Sequence, residues 1–185
     1  AFTSAASLNA GEKYYVRYQN ASNPAYVSGW MCPEIENYTA GDSVAGGDFD
    51  IENVQLGSPA PGAVVRLPYT FRWQARTVTG YDYAWALFDP STNRRWLSRN
   101  LGRDTQFTLR SLPNGAILGH HYGWYVRVMA KDGGDGSSFY YQIVTFASAG
   151  SKAEGDDALQ PMLAADIKTA DLPLLDGMVP ALPEP

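Results

Sequence analysis

From Ile51 to Ala147, apolar and polar positions alternate in short runs separated by turn residues. Ile51–Leu56 stops at Gly57-Ser58-Pro59-Ala60-Pro61-Gly62. Val64–Leu67 passes through Pro68 into Tyr69–Ala75, where Phe71, Trp73 and Ala75 share one face at a period of two. Tyr83, Trp85 and Leu87 alternate in the next run, which ends at the turn signal Asp89-Pro90-Ser91-Thr92-Asn93. Arg95–Arg99, Thr105–Leu109, Tyr122–Ala130 and Ser138–Phe146 read as further strands. No window of this stretch carries the apolar stripe of a helix. Close, regular turns without intervening helices predict an all-β, antiparallel sandwich.

The two ends of the chain read differently. In residues 1–50, Tyr14–Tyr18 and Tyr26–Met31 are predicted strands joined by a turn over Asn20–Pro24, and Gly41–Asp50 is a predicted loop. These extra N-terminal strands either extend the sandwich sheet or form a small β-subdomain. Residues 151–185 hold five Pro and no aromatic residue, so they have little with which to build a core. Met162, Leu163 and Ile167 fit one side of a short helix begun at Pro161; Pro173, Pro180 and Pro183 enforce extended backbone beyond it. The sequence thus divides into 1–50, a sandwich over 51–150, and an extended C-terminal tail over 151–185. No repeat of fixed period is present.

Several stretches resemble a known module. Tyr122-Gly-Trp124-Tyr-Val126-Arg-Val128, followed by Asp132-Gly133-Gly134 and Thr145-Phe146, looks like the last two strands of a fibronectin type III-like or immunoglobulin-like module of bacterial secreted and surface proteins. Leu112-Pro113-Asn114-Gly115 and the aromatic strand Phe71-x-Trp73 match it too. The resemblance covers about residues 54–147. It implies a sandwich, and a role as spacer, adhesin or partner-binding surface without a particular activity. Ile117-Leu118-Gly119-His120-His121 departs from the pattern as an insertion-like loop. Gly-Trp-Met-Cys followed by Gly-Asp-Phe-Asp-Ile is similar to surface proteins of filamentous bacteria.

Composition narrows the field. The 185 residues are 45% hydrophobic, 13% aromatic and 18% charged, which excludes a wholly disordered chain. No run of apolar residues is long enough for a transmembrane helix. A formal net charge of −5 argues against a general nucleic-acid binder. That charge is unevenly placed: Lys152 and Lys168 face seven acids in 151–185, which carries the whole excess, while residues 1–150 are neutral and hold every aromatic residue. Thirty-five residues reach on the order of 120 Å when extended, so the tail can cross its own body and touch a neighbour. Its apolar residues Leu159, Met162, Leu163, Ile167, Leu172, Leu174, Leu175, Met178, Val179 and Leu182 are the candidate partner-binding side chains.

Candidate chemistry is sparse. Cys32, the single cysteine, excludes an intramolecular disulfide framework and reads as a buried small hydrophobe or an interchain link. His120 and His121 point to opposite sides if they lie on a strand, which argues against one metal site. Asp132 and Asp135 are a weak calcium candidate within what reads as a tight turn. No phosphate loop, nucleophile elbow or cofactor motif is present, so no enzyme and no cofactor are expected. Trp96, Tyr125 and Tyr140 are candidates for an exposed platform that stacks on sugars or anchors a protein partner. Asn20 and Asn37 head glycosylation triplets. A first residue Ala1 rather than Met fits a removed leader and an exported protein. The expectation is an extracellular structural protein of a surface filament or layer, its tail docked on a neighbouring subunit; the alternative is a carbohydrate-binding or adhesive module.

Overall fold

The structure, a computed structural model, describes residues 12–20, 22–35 and 49–148. These form eleven strands: β1 (Arg17–Gln19), β2 (Gly29–Met31), β3 (Leu56–Ser58), β4 (Ala63–Val65), β5 (Tyr69–Trp73), β6 (Tyr81–Asp89), β7 (Arg94–Leu97), β8 (Gln106–Leu109), β9 (His121–Ala130), β10 (Asp135–Ser137) and β11 (Gln142–Phe146). No helix among the described residues is long and apolar enough to cross a membrane. The described residues are all-β, in two mostly antiparallel sheets.

The small sheet runs β3-β5-β8. The large sheet is organised on β9, the longest strand. One edge of β9 pairs along its length with β6, which in turn pairs with β7. Its other edge is shared: β11 takes Tyr122 and its neighbours, and β10 takes Arg127–Met129. Beyond β11 lies β4, the one parallel pairing among the described strands. Beyond β10 lie β2 and β1.

The core forms where the two sheets face each other. Phe71 of the small sheet is fully buried, with ring centroids 4.8 Å from Trp85 and 5.2 Å from Trp124 of the large sheet. Trp85 also stacks at 4.7 Å on Phe107 of β8. The alternation in the sequence sets these faces: Tyr83, Trp85 and Leu87 of β6, and Tyr122, Trp124, Val126 and Val128 of β9, all join one cluster. Gln142 stands among them and donates its side-chain amide to the Leu56 carbonyl of the opposing sheet at 3.3 Å.

Two segments differ from the sequence expectation. Ile51–Leu56 is not one strand, because its backbone bonds are taken elsewhere: Val27 N donates to Ile51 O at 2.8 Å, and Asn53 N donates to Ala25 O at 3.0 Å. The strand proper begins at Leu56. The last strand, expected over Ser138–Phe146, is divided into β10 and β11. Between them Ser138 Oγ accepts from Val126 N and donates to Tyr140 O, and Phe139 N donates to Asn53 Oδ1. Of the N-terminal strands, β2 pairs with β10 and so continues the large sheet.

Trp30 explains why that junction holds. It is 2% exposed and belongs to the common core cluster. Its ring lies against the backbone of β10 and the turn before it. A Cβ on Gly134 or Gly136 would come within 2.7 Å of it. Phe49 stacks on Trp30 with centroids 5.7 Å apart, and Tyr81 meets it edge-on at 5.6 Å. Two glycines thus make a shelf that only a strand without side chains on that face can supply.

Candidate binding surface

The outer face of the large sheet, turned away from the core, brings charged and aromatic side chains together. Strand register builds it row by row. Phe88 lies opposite Arg95 of β7 and Gly123 of β9; Ala86 lies opposite Leu97 and Tyr125; Ala84 lies opposite Arg127. Ala84 and Ala86 are buried although they face outward. Their small side chains form a floor flanked by Leu97, Tyr125 and Arg127.

Gly123 is part of that floor. A Cβ there would collide with the Phe88 ring and come within 2.7 Å of Tyr141, and these two rings meet edge-to-face at 4.5 Å. Gly123→Ala is therefore expected to destabilise the fold by about 1–3 kcal/mol, the usual cost of overpacking. Urea unfolding measures it; an unchanged midpoint would mean that the two rings move aside freely.

Arg127 is buried and pairs with the Asp135 carboxylate. Burial lowers its pKa, because the charged form loses hydration. Tyr125 stands next to it on the same face, 6.1 Å from Phe88. Burial raises its phenol pKa, while the charges of Arg95 and Arg127 and a hydrogen bond from Arg95 act in the opposite direction. The outer face is thus a phenol held between two guanidinium groups, beside Leu97, which is 45% exposed.

At the rim runs a basic edge. β7 pairs only with β6 among the described strands. The chain stays beside β6 after β7, through Ser98 N to Trp85 O and Leu101 N to Tyr83 O, both 2.9 Å. Arg94, Arg95, Arg99 and Arg103 lie along this segment, and no acidic residue occurs between Pro90 and Arg103. Its entry is set by the turn at Asp89. The Asp89 carboxylate accepts from Ser91 N and Oγ at 2.8 and 2.6 Å, and the Ser91 hydroxyl bond leads in holding its pKa below the ordinary carboxylate range. Arg94, Arg99 and Arg103 are exposed and form no ion pair among the described residues. Arg94 stacks over Trp96 with its guanidinium carbon 5.4 Å from the ring centroid.

The residues singled out from sequence are dispersed. Trp96 faces the core side, 6.0 Å from Tyr122, with its indole donating to Asn114 O at 3.2 Å. Tyr125 faces the opposite side of the same sheet, so the two do not line one platform. Tyr140 is 41% exposed and packs edge-on against Phe139 at 4.5 Å. Asp135 is engaged by Arg127, and Asp132 accepts from Gly134 N at 3.1 Å in a turn of its own. No group of three potential metal ligands gathers among the described residues. His121 Nδ1 lies 2.8 Å from Thr145 Oγ1, whereas His120 approaches Tyr122.

Asn20 folds its side chain into the turn, accepting from Ser22 N and Asn23 N and donating its amide to Asn23 O at 2.6 Å. Cys32 is buried; its sulfur accepts from Val16 N at 2.9 Å and donates to Pro33 O at 3.1 Å. Asn37 and the ten apolar tail residues from Leu159 to Leu182 lie outside the described residues. The sequence reading missed Phe88, Arg95, Leu97, Arg99, Arg103 and Arg127 of this face and its edge. The acid-free run of arginines is visible in the sequence; its place on a sheet edge is not.

The chain matches no protein-family model, and no curated protein or solved structure matches it.

Proposed function

We propose that this chain is an extracellular structural protein, a subunit or decorating component of a surface filament or cell-surface layer, built on a fibronectin type III-like or immunoglobulin-like sandwich. Its segment 151–185 docks on a neighbouring subunit. Support for the module comes from the sheet order: β3-β5-β8 packs against β7-β6-β9-β11, with β4 parallel beside β11. The function rests on one observation, the segregation of charge. The described residues carry twelve Lys and Arg against nine Asp and Glu, while 151–185 holds two Lys, seven acids and no aromatic residue. A sequence so poor in core-forming residues finds apolar and electrostatic partners on another surface.

The adhesive reading drew on Trp96, Tyr125 and Tyr140 acting together, and Trp96 lies across the sheet from Tyr125. The test is light-scattering mass of residues 1–185 against the chain ended at Gly150, which keeps every described strand. Oligomers of the full chain and a monomeric shortened chain are the expected result. Two equally stable monomers would overturn the proposal, and glycan arrays would then be the next measurement.

A further inference from the structure

We infer that the arginine-lined edge of the large sheet, β7 and the segment to Arg103, is the receptor for the acidic C-terminal segment of this chain, residues 151–185. This rests on the tail acting as a docking element, and it adds the surface that receives it.

Three observations converge on this edge. It is a sheet border where β7 has one partner strand among the described residues, so its outer side is geometrically suited to an added strand. It concentrates Arg94, Arg95, Arg99 and Arg103 without an acid among them, and Arg94, Arg99 and Arg103 have no carboxylate partner among the described residues. The tail has the complementary composition. Glu154, Asp156 and Asp157 come first, and Asp166, Asp171 and Asp176 alternate with apolar residues such as Ile167, Leu172 and Leu175. On the outer face Leu97 and the Tyr125 ring lie beside Arg95, and on the other face Arg94 stacks over Trp96, so charged and apolar contacts are offered together.

The distance is short enough. Thr145 of β11 is opposite His121, and Phe88 is opposite both Gly123 and Arg95, so the end of β11 and the start of β7 lie at the same end of the sheet. Three interstrand steps of about 4.8 Å separate β11 from β7. Seven residues from Ala147 to Glu154 span up to about 25 Å. The first acids therefore reach the start of β7, and Asp156 and Asp157, up to about 30 Å from Ala147, reach Arg99 and Arg103 further along the same edge; the rest of the tail extends to a neighbour. The contacts are charge-assisted hydrogen bonds from guanidinium to carboxylate, and salt weakens them.

The test uses the full chain with Arg99→Glu/Arg103→Glu, two exposed positions outside the core, and a second variant, Glu154→Lys/Asp156→Lys/Asp157→Lys. Amide hydrogen exchange is followed over residues 94–103 at low and high salt, with β9 as the control for an intact fold. The expected result is several-fold slower exchange over 94–103 in the unaltered chain at low salt. Either variant should lose that protection, and combining the two should restore it. Exchange over 94–103 that responds neither to salt nor to any variant, with β9 unchanged, overturns the inference. Light-scattering mass of the same samples keeps the two conclusions apart. Oligomers of the unaltered chain whose exchange over 94–103 is fast and indifferent to salt and to both variants refute this receptor and leave the assembly role standing. A monomer with salt-sensitive protection refutes assembly and keeps the receptor, with the tail bound to its own body.

Discussion

Replacing Trp30 by alanine is expected to cost about 3–5 kcal/mol of folding stability, the range for removing a large buried aromatic side chain. The expectation comes from the position of the ring. Trp30 fills the space above Gly134 and Gly136, carries the stacked ring of Phe49 and meets the edge of Tyr81. Neither Gly134 nor Gly136 has a side chain to fill the void, and Asp135 and Ser137 of β10 point to the other face. Guanidinium chloride unfolding monitored by fluorescence measures the loss. Hydrogen exchange supplies the local readout: the β2 amides should lose protection before those of β9. Equal loss over the whole sheet would mean that the N-terminal strands and the sandwich unfold only as one unit.

The second large effect is expected at Asp50. Arg76 has a side chain with no solvent exposure, although guanidinium groups are rarely buried unless paired. Its Nη2 donates to the Asp50 carboxylate at 2.7 Å and to the Asp50 carbonyl at 2.9 Å, and its Nε donates to Glu52 O at 2.9 Å. The guanidinium also lies 4.4 Å from the centre of the Tyr81 ring. These bonds tie residues 50–52 to the start of the β5–β6 connection. Removing the carboxylate leaves a buried cation with its charge uncompensated, so Asp50→Ala should cost about 3 kcal/mol, the lower end for breaking a buried pair because Asp50 itself is partly exposed. Asp50→Asn retains an acceptor for the same donor and should lose clearly less. Thermal and denaturant unfolding of the two variants give the comparison. Equal stability of Ala and wild type would show that the backbone carbonyls alone hold Arg76.

Much of the sandwich is legible in the chain because its strands have one face in the core. Tyr83-x-Trp85-x-Leu87 and Tyr122-x-Trp124-x-Val126-x-Val128 show their direction by spacing alone, and the structure buries these residues together. What spacing leaves out is the partner. Ile51–Leu56 looks like a strand, yet Val27, Ala25 and the Arg76 side chain claim its backbone groups. The division of the last strand depends on Ser138 reaching Val126 and Asn53 reaching Phe139, contacts between residues far apart in sequence. The surface has the same difficulty. Trp96 and Tyr125 are both aromatic residues on neighbouring elements, and only their common registration against β6 assigns them to opposite faces. Arg127 reads as a polar residue in an apolar strand, and nothing local announces its pairing with Asp135 across the hairpin.

The position of β11 has a mechanical consequence. The strand lies between β9 and β4, hydrogen-bonded on both sides, and the chain leaves it directly at Ala147. Tension entering from the C-terminal side therefore pulls along the axis of β11. The bonds on both borders then bear load together in shear, instead of opening one after another like a zip.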